Sequence, residues 1–148
     1  MLYARQHERR PRMNTFALHL ESATQYERIN NVISFVGEDA SGSFGILPGH
    51  ARMMTLLEFG LARFRIADED WQYLAVPGAV LYQQDNQLHV CARRYLRGTD
   101  YELISTALRE QLLVEEESLR AVKQSLRHLE EEMFKRLWKL QHGGEAAL

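Results

Sequence analysis

From residue 14 to residue 98, apolar and polar positions alternate in short runs with a period of two. Thr15–Leu20 puts Phe16, Leu18 and Leu20 on one face and Thr15, Ala17 and His19 on the other. Leu61–Ile66 sets Ala62, Phe64 and Ile66 against Leu61, Arg63 and Arg65, and Trp71–Val76 sets Gln72, Leu74 and Val76 against Trp71, Tyr73 and Ala75. Asn30–Gly37 is a β-branched run, Gly78–Gln83 is a further strand, and Gln87–Ala92 places Leu88, Val90 and Ala92 together. Turn residues divide these runs at 37–42, Leu47-Pro48-Gly49, 67–70, Pro77-Gly78 and Asp85-Asn86. Six or more short strands at this spacing predict an antiparallel β-sandwich or flattened barrel, each sheet having one inner face.

Beyond Gly98 the period changes. Residues 99–142 contain neither Gly nor Pro, and Thr99 or Asp100 can cap a helix start. Leu119, Val122, Leu126, Leu129 and Met133 recur at spacings of 3 and 4, loosely prolonged by Leu137 and Leu140. Tyr101, Ile104, Leu108 and Leu112 form an earlier stripe, and Glu115–Glu117 interrupt the pattern between the two. Glu116–Arg120, Glu131–Lys135 and Glu132–Arg136 are i,i+4 pairs in the favourable order, each contributing about 0.2–0.5 kcal/mol. Two geometries fit: one straight helix, or a hairpin hinged at 115–118. The absence of a turn residue favours the first. The fold class expected is therefore α+β, a sandwich followed by a helical arm. Its divisions are an extension over 1–13, the sandwich over 14–98, the arm over 99–142 and a tail over 143–148.

Composition narrows the picture. The chain has 148 residues, is 45% hydrophobic and 26% charged, and carries a formal net charge of −2. That balance fits a folded chain without the global positive field that would attract nucleic acid. No run of 18 apolar residues occurs, so no helical membrane span is expected. A single cysteine, Cys91, forms no intrachain disulfide and suits a reducing compartment. The start carries Arg5, Arg9, Arg10 and Arg12 with no apolar stretch after them, so it does not read as a secretory signal. It reads instead as a mobile tail or a misassigned start, with a basic patch for anionic lipid or RNA as the rival.

Catalytic constellations are missing. The six histidines form no HExxH and no metal-ligand spacing with the lone cysteine. Gly42-Ser-Phe-Gly45 lacks the length and the Lys of a phosphate-binding loop, Asp68-Glu69-Asp70 reads as a solvated hairpin tip, and Arg93, Arg94 and Arg97 form a small basic cluster. No enzyme, cofactor or metal is expected from these residues.

One stretch is more specific. Ser43-Phe-Gly-Ile-Leu-Pro-Gly-His50 resembles the block Gly-x-[Phe/Leu]-Gly-[Ile/Val]-x-Pro-[Gly/Asn]-His of the epsilon subunits of F-type ATP synthases. The strand before it, Met53–Leu57, the Glu58-Phe-Gly60 turn and the strand pair holding Pro77-Gly78 are similar too, as is the order of sandwich then helices, over about residues 14–140. GEDASGSFGILPGHARMM and YLRGTDYE look most like the epsilon subunit of the alternate, N-type ATPases.

The resemblance implies a non-catalytic rotor subunit on the cytoplasmic face of the cell membrane, attached to that membrane only through its complex. Its sandwich would bind the gamma subunit and the loops of the c-ring. Its helices would lie on the sandwich or extend along gamma toward the catalytic beta subunits, regulating ATP hydrolysis. Glu38, Asp39, Ser41, Gly42 and Ser43 correspond to the turn that faces the c-ring. Ile46, Pro48, His50 and Met53 lie near the gamma contact, and Arg120, Lys123, Arg127, Lys135, Arg136 and Lys139 are the basic residues for a beta-subunit contact. Some relatives bind ATP through Ile/Leu-Asp-x-x-Arg-Ala; here Arg120-Ala121 is kept and Glu117 can stand in for the Asp, but Glu116 does not match the apolar first position. The rival reading is a stand-alone sandwich with an amphipathic arm for a soluble partner or a second copy.

Overall fold

A computed structural model describes residues 14–143; the expected extension over 1–13 and the tail beyond Gly143 lie outside the described residues. The described residues form nine strands: β1 (Phe16–Glu21), β2 (Tyr26–Asp39), β3 (Gly42–Ile46), β4 (Met53–Leu57), β5 (Gly60–Ile66), β6 (Trp71–Val76), β7 (Ala79–Gln84), β8 (Gln87–Cys91) and β9 (Leu96–Gly98). They hydrogen-bond in the order β1-β8-β7-β4-β2-β5-β6-β9, with β3 on β2. A β1–β2 pairing turns this path back on itself, so the sheet is a flattened barrel. All pairings are antiparallel except β1–β8.

β2 is the longest strand, with 14 residues, and it serves both halves of the barrel. Its first part pairs with β1 (Leu18↔Ile29, Glu21↔Tyr26) and its second with β3 and β5 (Phe35↔Ile46, Phe35↔Phe64). The change of partner falls at a register shift beside Asn31, whose φ of 61° is one that Asn tolerates better than most residues.

The period-two reading orients the strands correctly. Phe16, Leu18, Leu20, Ala62, Phe64, Leu74, Val76, Leu88 and Val90 line one core with Phe35, Ile46 and Leu81. β6 is buried on both faces because a helix covers its outer side. Gln83 is the anomaly. It is fully buried between Met53 and Leu88, and neither polar atom of its side chain has a partner among the described residues. Two desolvated groups without hydrogen bonds are a net cost. Gln83→Met, of similar length, should raise unfolding free energy by about 1–3 kcal/mol, read as a higher urea midpoint at unchanged slope.

Asp100 caps the helix start, its carboxylate accepting from the N–H groups of Glu102 (3.0 Å) and Leu103 (3.4 Å). Helical backbone then continues without a hairpin to Gly143: α1 (Tyr101–Ala107), a π-helical stretch (Leu108–Leu112) and α2 (Leu113–Gly143). The described residues thus show helix without the hairpin. In a regular α-helix, residues spaced by four drift about 40° per step around the axis. The wider π turn takes up that drift and keeps Ile104, Leu108 and Leu112 on one side. There they meet Leu61, Tyr73, Ala75 and Leu96 in a second, smaller core. Gly98 is placed by this contact, since a Cβ there would lie 2.8 Å from Ile104 Cδ1.

The chain divides into two units, one ending at Leu112 and one beginning at Leu113. α2 makes up the described part of the second. It has 31 residues, none of them buried, and Val122, Leu126, Leu129, Met133, Leu137 and Leu140 are all exposed. No helix is long and apolar enough to cross a membrane among the described residues.

Candidate interaction surfaces

The turn block begins on the last ladder positions of β2 and β3. Asp39 pairs with Gly42, leaving Ala40 and Ser41 as the tip, and Gly42 takes a φ of 121° that favours glycine. The Asp39 carboxylate organises this tip. One oxygen accepts from the Ser41 N–H (2.9 Å) and from the Ser41 hydroxyl, and the other accepts from the Thr55 hydroxyl (2.7 Å) on β4. The Ser41 hydroxyl, then the Thr55 hydroxyl, then the Ser41 N–H hold the carboxyl below the usual aspartate range. Because the folded state binds this proton less readily, the contribution is present at neutral pH and fades only as pH falls through the lowered value. The Ser41 amide resonance should accordingly titrate with a midpoint below that of an unperturbed aspartate, and Asp39→Asn should abolish that titration. The Glu58 N–H donates to the Glu38 carbonyl (2.9 Å), tying the β4–β5 turn to the same end. Glu38, Ser41 and Ser43 are exposed.

The four residues named for the gamma contact separate in space. Ile46 is fully buried and Met53 packs on the core from the inner face of β4. Pro48 and His50 lie in the connection to β4. There the His50 N–H donates to the Leu47 carbonyl (3.1 Å) and the Gly49 N–H to Asn86 Oδ1 (2.7 Å). The surface beside them belongs to residues the sequence reading passed over. Met54 and Leu56 face outward from β4 with relative exposures of 68% and 67%, and Val80, opposite Leu56 on β7, is 41% exposed. Leu47 adds another exposed apolar side chain at the edge of the block. The run Met53–Leu57 has apolar residues on both faces, and that double pattern was the available signal for an outer face needing cover.

The outer face continues across the sheet. Register aligns Met54, Tyr82, His89 and His19 in one row and Leu56, Val80, Cys91 and Glu21 in the next. Polar groups take over toward β1, so the face grades from apolar to titratable.

The six basic residues named on the arm all lie in α2. By spacing, Arg120, Lys123 and Arg127 share one side of the helix, while Lys135 and Arg136 flank Lys139 (i,i+4 and i,i+3) on another. They do not form a single basic stripe. Lys135 lies 3.8 Å from the Glu132 carboxylate. No group of three or more His, Cys, Asp or Glu suited to a metal occurs among the described residues.

Comparison with known proteins adds to this geometry. Residues 17–98 match the family model for the β-sandwich domain of the ATP synthase delta/epsilon chain. The chain is 32% identical to the ATP synthase epsilon chain 2 of Cereibacter sphaeroides over 110 residues, covering 66% of this chain and 75% of that one. It is 36% identical to the chloroplastic ATP synthase epsilon chain of Staurastrum punctulatum over 63 residues, or 43% of this chain and 45% of that one. A chain in the Euglena gracilis mitochondrial ATP synthase structure (OSCP/F1/c-ring, rotational state 1) superposes with a TM-score of 0.54 at 17% identity. That superposition covers 66% of this chain and 63% of the other. The last two alignments thus span less than two thirds of the proteins matched, and the structural one shows the fold alone. The resemblance read from Ser43–His50 now has a family model over the whole barrel behind it, and the chain belongs to the ATP synthase delta/epsilon family.

Proposed function

We propose that this chain is the epsilon subunit of the rotor of an alternate, N-type ATPase, a non-catalytic part that joins gamma to the c-ring. The observation that carries the reading is the outward patch of Met54, Leu56 and Val80 on the β4–β7 pair that follows the Leu47–His50 connection. Large exposed apolar side chains on one strand pair mark a protein contact, and in this family the partner for that contact is gamma. The acidic hairpin at Glu38–Ser43 is the part offered to the c-ring loops. Its tip is stiffened by Asp39 rather than left free.

Torque passes best through a part that resists shear, and a close-packed barrel core does so. The arm serves regulation. The uncovered stripe of α2 docks on another subunit, and its basic residues Arg120, Lys123, Arg127, Lys135, Arg136 and Lys139 meet an acidic segment of the catalytic beta subunit. The complex places the chain peripherally at the cytoplasmic face of the cell membrane. Relation to a relative named epsilon chain 2 supports the alternate type. Co-purification of the full chain with gamma and c-ring subunits tests the proposal. Both should be retained through gel filtration, and loss of both would end it.

A further inference from the structure

The outer face holds a cluster that gamma docking alone does not explain. His19 on β1 and His89 on β8 are register partners with stacked rings, centroids 4.3 Å apart and planes within 7°. His19 is 6% exposed, and both its nitrogens are matched. Nε2 lies 2.7 Å from Gln87 Oε1, which only accepts, so Nε2 carries the proton. In the neutral ring Nδ1, 2.7 Å from the Tyr26 hydroxyl, accepts the Tyr26 O–H. A neutral His19 satisfies every partner, and its ring forms a fixed platform under His89.

His89 is different. Its side chain is 32% exposed and Nδ1 lies 3.5 Å from Glu21 Oε1. The other Glu21 oxygen is 3.5 Å from Cys91 Sγ. Glu21 is the one carboxylate on these two rows, which run on from Leu56–Val80 and Met54–Tyr82. The remaining titratable or charged groups facing the pair are Arg28 opposite His19, Tyr26, Tyr82 with its ring 6.2 Å from His89, and Cys91.

We infer that docking at this face takes up a proton on His89. Covering the face removes water from the Glu21 carboxylate, which is costly unless a cation stays beside it. The nearest group able to supply one is His89, held in plane by His19. The inference rests on the reading that gamma docks on the Met54–Leu56–Val80 face.

A group that gains a partner on binding adds affinity at low pH and loses it as pH rises. Gamma binding by the full chain, measured by calorimetry from pH 6 to pH 8, should weaken with rising pH by up to about tenfold per unit. His89→Gln and Glu21→Gln should each flatten the profile while circular dichroism stays unchanged. A flat wild-type profile, a slope of opposite sign, or a slope that persists in both variants overturns the inference and leaves gamma docking standing. Absence of gamma binding at every pH removes the docking reading itself, and this inference with it.

Discussion

With Met54 and Leu56 both replaced by Asp, the chain should fold as before and fail to hold gamma. Both side chains are about two-thirds exposed, so the free protein gives up little packing. Outward substitutions on a strand usually change stability by no more than about 0.5 kcal/mol. The bound state is affected very differently. Each apolar side chain covered in an interface contributes about 1.5–3 kcal/mol, and each new carboxylate must be stripped of water without a partner. Losing the contribution of two side chains is a weakening of more than about 100-fold. Pull-down against immobilised gamma, with thermal melting as the folding control, reads both sides of the claim. Ile46→Ala gives the opposite signature, because that side chain is wholly in the core. Truncating it should cost about 2–5 kcal/mol of stability, with gamma still bound by whatever fraction is folded.

A second large effect is expected at the foot of the arm. Ile104 and Leu112 are the buried anchors of α1 and the π stretch, packed on Tyr73, Ala75 and Leu96. Replacing either by Ala removes about 2–5 kcal/mol where the site cannot collapse, and the two share neighbours, so the double variant will not be additive. This cluster is separate from the barrel core, so the loss should be local. Hydrogen exchange should show amides of 101–112 losing protection by about 30-fold or more, while β1, β5 and β7 keep theirs. Equal loss in the barrel would show that the two cores unfold as one.

How much of this could be read from the sequence depended on how local the signal was. Strand orientation was legible because burying one face forces a period of two, and the faces of Phe16–Leu20 and Leu61–Ile66 follow from it. The helix start was legible too, with Thr99 or Asp100 as the cap, and the structure uses Asp100. β2 was read only from Asn30, because its first residues, Tyr26–Ile29, are mostly polar and their pairing with β1 is set by tertiary contact. β9 was missed because three residues carry no period. The π stretch was invisible, since a four-residue spacing suits an α-helix nearly as well. At the candidate site, glycine and proline marked the turn at Leu47-Pro48-Gly49, but Gly42–Ile46 at the head of the block is strand β3, which its glycines concealed. Which of the neighbouring apolar residues face outward required knowing that Met53, and not Met54, meets the core. The His19–His89 stack needed the parallel β1–β8 pairing, which joins residues 70 apart and leaves no trace in either strand alone.

β2 has one more implication. Because the same 14 residues pair with β1 at one end and with β3 and β5 at the other, the two halves of the barrel share a continuous covalent thread. Load applied to the β1 side reaches the β5 side along peptide bonds, not only through side chains that could slip. A chain reopened in the β2–β3 tip keeps that thread whole, whereas one cut at Asn31 must transmit the same load through packing alone. Two proteins of identical composition and near-identical core would then differ in stiffness because of where their ends lie.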